Sequence, residues 1–364
     1  MAPATGTPAL TGELTAAGED AGRAHAPAPH PLTAPATGTP ALTGELTAAG
    51  EDAGRAHAPA PHPLTAPATG TPAPALTGEL SAAAEQGRIC ALAAGGQRDL
   101  QAVAAAYPEL FPARPFDPAV FGTVALATAF GAPWCTREQL RIANLTALWV
   151  FAVDWRIDYL ARAAADVDGV VERCLATADG AAPGADDALA RMLAAVRDEL
   201  AAGPAFAEHR PAWREELRRM LAAMRREWRW KTSGARPGLE EYLDNADNFG
   251  SSWVNVSHWL SGATAEALSA LPRLTTAGRL VQRVLRLAND LATYERDVEW
   301  GDLNALLLGV GRDEVTGRMG TLARDALTAA EALAGACPRE AAYLSRQIGF
   351  STGFYRLTDF WGAR

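Results

Sequence analysis

The chain is 364 residues long with 42 acidic and 33 basic side chains, and its net charge of −9 argues against a nucleic-acid surface. Its four cysteines (Cys90, Cys135, Cys174, Cys337) lack paired spacing, which argues against a zinc site or disulfide framework and fits a reducing cytoplasm. No basic-then-apolar leader opens the sequence, and its most apolar run, 147–153, falls far short of the ~20 residues a membrane span needs, so a cytoplasmic protein is expected.

Residues 2–33 recur unchanged as 34–65, and a third, partial copy begins at Ala66. These units are rich in Ala, Pro, Thr and Gly and nearly devoid of large apolar residues. They cannot offset the entropy of ordering, so 1–78 is expected to be a disordered tail with a 32-residue repeat. His25, His30, His57 and His62 belong to it and are read as copied tail residues, not metal ligands.

From residue 79 to 364 helical periodicity takes over and strand-like alternation is nearly absent. The pattern predicts helices near 80–106, 118–129, 137–165, 186–202, 205–231, 238–262, 273–298, 315–335 and 338–358, joined by Pro- and Gly-rich connectors. Short loops between long helices give an all-α antiparallel bundle. The 137–165 helix is apolar nearly all round at 148–153 and should be central. Within 238–262 the weak-helix run Asn248–Ser252 predicts a break that offers backbone groups to the bundle interior. Basic residues cluster between Arg214 and Lys231, but Glu215, Glu216 and Glu227 interrupt them, so a solvated amphipathic helix is expected.

Two segments carry chemistry. Asp154 and Asp158 stand four residues apart at the end of the buried run; Asn289, Thr293 and Asp297 stand at i, i+4 and i+8. Both spacings put oxygen ligands on one helical face. Acidic pairs at this spacing are common on solvated faces, but here the same face continues back through Phe151, Val150 and Ala147, as at the rim of a pocket. Asn and Thr are mediocre in helix interiors, so their placement one turn apart is the more specific signal. The bland alternative is a surface stripe with Asp290, Glu295 and Glu299 as solvating charge.

Together these segments resemble the metal-binding pair of bacterial class I terpene synthases acting on longer prenyl diphosphates. The likeness runs from about residue 105 and includes Phe111–Asp117, Leu148–Asp158 and Phe354–Arg356. It implies a helical bundle around a central cavity that holds three Mg²⁺ ions. Asp154 and Asp158 would ligate two ions, and Asn289, Thr293 and Asp297 the third. Arg296, Tyr355 and Arg356 would bind diphosphate; Phe151, Phe249, Gly250 and Trp253 would line the cavity, with Tyr355 as a further aromatic face.

The sequence departs from the family pattern in four places. Trp155 stands where a second Asp is common. Asp297 replaces the usual Glu. No diphosphate-sensing Arg is evident near Asn245 and Asn248. The C-terminal Arg-Tyr pair is reversed, and Arg356 could instead bridge to Asp359. The activity implied is Mg²⁺-dependent cyclisation of geranylgeranyl diphosphate to a C20 hydrocarbon or alcohol. Farnesyl diphosphate as substrate, a prenyl-chain-elongating synthase and a non-catalytic helical interaction protein are the alternatives; the elongating enzyme normally carries two Asp-rich motifs. The implied partner is the prenyl diphosphate, with no nucleic acid; a homodimer is left open.

Overall fold

The structure is a computed structural model in which residues 77–362 are described, so all but the last two residues of the expected tail lie outside them. Among the described residues there are helices and no strand. The helix α1 (Glu79–Ala106) is followed by α2 (Pro118–Gly131), whose start is set by the Asp117 carboxylate accepting the N–H groups of Ala119 and Val120. The central helix α3 (Arg137–Trp155) opens with a reciprocal cap: the Gln139 N–H donates to the Thr136 hydroxyl, and the Thr136 N–H to the Gln139 side chain. Leu148, Trp149, Ala152 and Val153 are buried, as the all-round apolar run requires.

The chain departs here from the single helix expected over 137–165. α3 widens into a π-helical turn, Arg156–Leu160, and the backbone becomes extended at Ala161. A new helix, α4 (Ala164–Ala178), then begins where the sequence reading had none. Three valines and Gly169 give that stretch poor intrinsic helicity. Burial of Val167, Val170, Val171, Cys174 and Ala178 along one face decides the matter.

α5 (Ala188–Ala201) and α6 (Phe206–Ser233) match expectation, but the face of α6 does not. Glu216 and Glu227 are turned inward and paired with Arg279 and Arg286, so this is not a wholly solvated helix. The expected break in 238–262 is present: α7 (Leu239–Asp244), a 3₁₀ turn (Ala246–Phe249) and α8 (Ser251–Gly262) meet at Gly250, with φ of 77°. A Cβ there would lie 2.7 Å from Val150 Cγ1 and 2.9 Å from Met220 Sδ, so the glycine lets the broken helix close on α3 and α6. The break does not leave its backbone free. The Ser252 N–H and Ser251 hydroxyl donate to the Gln282 carbonyl oxygen (2.9 and 3.1 Å), and the Gln282 amide donates to Asp247 (2.9 Å).

The short α9 (Ala265–Ser269) leads into the longest helix, α10 (Leu271–Trp300), which ends at Gly301 with φ of 69°. A 3₁₀ turn (Ala305–Leu308), α11 (Arg312–Glu331) and α12 (Pro338–Phe354) complete the bundle. Helix α3 packs on α8, α8 on α10, and α12 across α10 and α2, so these helices surround one interior space. Beside it lies an aromatic core of Trp149, Trp213 and Trp253, with Trp253 ring centroids 5.1 and 5.6 Å from the other two. Trp253, expected at the cavity wall, is fully buried in that core. No cysteine pairs with another, and no described helix is long and apolar enough to cross a membrane.

Candidate active site

The interior space is a cavity of about 240 Å³. Its apolar wall includes Val150 and Phe151 of α3, Val254 of α8, Leu285 of α10 and Phe350 of α12. Toward the C-terminal ends of α3 and α10 the lining becomes ionic, with Asp154, Asp158, Asn289 and Asp297 all bordering the same space. The π-turn permits this on the first helix: Asp158 lies within it, yet faces the same cavity as Asp154.

Thr293 is buried behind that lining, and its hydroxyl donates to Asp297 Oδ2 at 2.6 Å. Asn304 donates to the same oxygen at 2.9 Å. A hydroxyl that gives its hydrogen to Asp297 keeps its lone pairs for a cation. Asp290 is no solvating charge: it is buried, accepts from Tyr242 at 3.0 Å and from the Ala305 N–H at 3.2 Å, and is pushed up to about 7 by its burial.

Several cavity groups have no counterpart in the sequence reading. Glu227 of α6 and Asp302, just beyond α10, make five carboxylates on the wall with Asp154, Asp158 and Asp297. Arg286 joins the expected Arg296 as the guanidinium groups facing them. Arg286 is held by Glu227 (2.6 Å) and by the Tyr242 hydroxyl (2.7 Å). Asp302 accepts from Tyr159 at 2.5 Å and from Lys231 at 2.7 Å, which ties the π-turn to α6 and to the end of α10. Arg286 was legible, because it lies one turn before Asn289 on the same stripe. Asp302 and Glu227 were not, since only tertiary packing brings them in.

The remaining expected residues divide. Tyr355 borders the cavity, hydrogen-bonds the Asn289 side chain, and has its phenol pushed up by burial. Phe151 and Phe249 border it too. Gly250 does not; it packs behind the wall against Val150 and Met220. Arg356 is exposed and does not border the cavity, and its alternative partner Asp359 instead lies 2.9 Å from Arg296. Asn245 donates to the Ala223 carbonyl (3.0 Å) in the interior, whereas Asn248 reaches the wall and donates to Glu227. Trp155 turns aside to stack on Tyr159, with ring centroids 4.5 Å apart.

Burial first, and then the negative charges of Asp302 and Glu227, hold Asp154 well above the usual carboxylate range; Arg286 and Arg296 only partly oppose this. Asp158 is raised by burial and by Asp154 itself. Such a crowd of buried acids calls for a cation. Among the described residues no three His, Cys, Asp or Glu side chains converge to hold a metal unaided. The donor set is all hard oxygen and sparse on each side, which fits Mg²⁺, an ion that keeps waters and shares phosphate oxygens, and not Zn²⁺.

Comparison with known proteins agrees with this geometry. The family described as terpene synthase family 2, C-terminal metal binding, matches residues 146–314, the stretch that carries Asp154, Asp158, Asn289, Thr293 and Asp297. The ent-pimara-9(11),15-diene synthase of Streptomyces sp. (strain KO-3988) is 27% identical over 273 residues, covering 73% of this chain and 91% of that protein. In fold, the chain is similar to 2-methylisoborneol synthase from Streptomyces coelicolor A3(2), with a TM-score of 0.55, 20% identity, and coverage of 74% of this chain and 92% of that one. Linalool/nerolidol synthase from Streptomyces clavuligerus, solved with 2-fluorogeranyl diphosphate, gives 0.57 at 18% identity, covering 73% and 94%. The two structures speak to the fold, and the family match and the diene synthase make the chain similar to class I terpene synthases of the bacterial kind.

Proposed function

We propose that the enzyme uses Mg²⁺ to ionise geranylgeranyl diphosphate and cyclises the allylic cation to a diterpene hydrocarbon or alcohol. The observation that carries this is the meeting of Asp154, Asp158, Asn289 and Asp297 with Arg286 and Arg296 at one end of a single cavity whose remaining lining is largely apolar. The metal would be held as the family likeness implies, by Asp154 and Asp158 on one side and by Asn289, Thr293 and Asp297 on the other, with three ions in all. When bound, Mg²⁺ supplies electrostatic stabilisation of the departing diphosphate.

The chain's own groups supply the rest. Arg296 and Arg286 offer guanidinium N–H donors to diphosphate oxygens, taking the role left open by the absent sensor near Asn245. The carbon–oxygen bond breaks with its electron pair leaving on the diphosphate, and a distal double bond then attacks the cation. Val150, Val254, Leu285 and Phe350 present no heteroatom nucleophile, so this part of the wall does not capture the cation. Phe151, Phe249 and Tyr355 offer aromatic faces to passing charge. A hydrocarbon product loses one proton at the end; an alcohol gains water and loses the proton from it. The C20 preference is supported by the diene synthase relative, while 2-methylisoborneol synthase, solved with Mg²⁺ and geranyl-S-thiolodiphosphate, shows that the fold also serves shorter chains.

Incubation with C10, C15 and C20 prenyl diphosphates, with and without Mg²⁺, followed by mass spectrometry of the extract, tests the reading. A cyclic C20 product that requires Mg²⁺ is expected. A cyclic C15 or C10 product alone would overturn the chain length, and an elongated diphosphate would overturn the reaction.

A further inference from the structure

We propose that the turn after α12, residues 358–361, is a wall of the reaction cavity, and that Trp361 is a specificity-determining residue; this rests on the cyclase reading above. The turn is built around one carboxylate. Asp359 Oδ1 accepts the Trp361 N–H at 2.7 Å and lies 2.9 Å from Arg296 Nη1. So anchored, both following aromatic side chains border the cavity. Phe360 lies 5.6 Å from Phe151 and 5.1 Å from Phe354, centroid to centroid. Trp361 meets Phe151 edge-on at 5.2 Å and Phe116 at 5.3 Å, and lies 6.2 Å from Trp155.

Trp155 gives the arrangement its reason. It follows Asp154 directly, so on a helix it is rotated about 100° away from that ligand's direction. There it backs Trp361 on one side and stacks on Tyr159 of the π-turn on the other. An acid at this position would leave Trp361 without that support.

The placement also has chemical content. Trp361 stands beside Phe151, one turn before Asp154, so its ring borders the space where an allylic cation is released. Indole is the best neutral partner for a cation among the side chains and does not trap it. The anchor is Arg296, one of the two guanidinium groups facing the acids. The position of the wall and the hold on the leaving group are therefore tied at a single side chain.

The test uses the full chain, Mg²⁺ and the prenyl diphosphate it turns over, and reads the ratio of early-quenched to fully cyclised products. For Trp361→Ala that ratio should rise roughly thirtyfold, the size of one desolvated cation–π contact. Trp361→Phe should restore most of the wild-type ratio. Asp359→Asn, which leaves the rings intact but loosens their anchor, should move the ratio in the same direction as Trp361→Ala. Melting temperatures measured alongside separate a chemical effect from an unfolded chain. A wild-type ratio in Trp361→Ala, or an equal fall in all products with no rescue by Phe, would overturn the inference while leaving the cyclase reading intact. A wild-type extract without any terpene would overturn the cyclase reading, and this inference with it.

Discussion

Asp154 and Asp297 anchor the two sides of the ionic wall, and their replacement should be felt differently. Asp154→Ala should lower kcat by at least about a thousandfold, because one lost anchor leaves developing diphosphate charge under-compensated; steady-state kinetics over a Mg²⁺ titration check this. Asp297→Glu should retain partial activity, since it keeps the charge and adds only reach. Arg286 makes a sharper case, because Glu227 depends on it. Arg286→Ala should cost both turnover and about 3 kcal/mol of stability, since the Glu227 carboxylate is left buried and unpaired. The double variant with Glu227→Gln should recover the stability, measured by urea denaturation, without recovering the activity.

A pH dependence follows from His258, which burial pushes down to about 4. Between pH 6.5 and 4 the unfolded chain takes up this proton and the folded chain does not, so stability is lost as pH falls through that window. The loss from this group should reach about 3 kcal/mol, and His258→Gln should flatten the acid limb of a melting-temperature profile. The residue-scale reading of the sequence picked out Asp154, Asp158, Asn289 and Asp297, which border one cavity, because each pair stands at helical spacing. It missed Asp302, whose contact with Tyr159 spans 143 positions, and Trp361, whose partners lie on α3 and in the connector before α2.

At the scale of elements, the break in the α7–α8 segment was legible from Asn248–Ser252, because Asn, Gly and Ser all favour non-helical backbone. The end of α3 was not. Nothing in Arg156–Leu160 forbids a continued α-helix, and the π-turn is set by what packs on Tyr159 and Ile157. Helix α4 was hidden for the opposite reason, its helicity coming from burial and not from propensity. Gly250→Ala tests the element-scale argument. The added Cβ is strained at this φ and meets Val150 and Met220, so a loss of roughly 1–3 kcal/mol is expected. Adding Val150→Ala should return part of it, and a denaturation midpoint that does not move on adding Gly250→Ala alone would count against the close packing.

The whole molecule divides into a helical unit that encloses its own cavity and a repeated segment ahead of it. A chain beginning at Thr77 contains all the described cavity residues and the core, and should match the full chain in melting temperature and turnover. A soluble but inactive shortened protein would show that the repeats contribute to the reaction. The bundle itself was legible from periodicity, but its contour was not: the cavity wall comes from six α-helices, the π-turn, the 3₁₀ turn before Gly250, the stretch just beyond α10 and the turn that follows α12, and only their mutual packing fixes its shape.

Helix α10 carries Gln282, Arg286, Asn289 and Asp297 on one rod, and Gln282 welds it to both halves of the broken helix opposite. These groups therefore behave as an anvil, their spacing preserved through a catalytic cycle. Any adjustment as metal and substrate arrive falls to the hammer side, the wide turn at 156–160 and the strap of aromatic residues beyond α12. Hydrogen exchange should record the asymmetry, with amides of Ile157–Ala161 trading faster than those of Leu285–Thr293 and slowing the more when Mg²⁺ and a diphosphate are added.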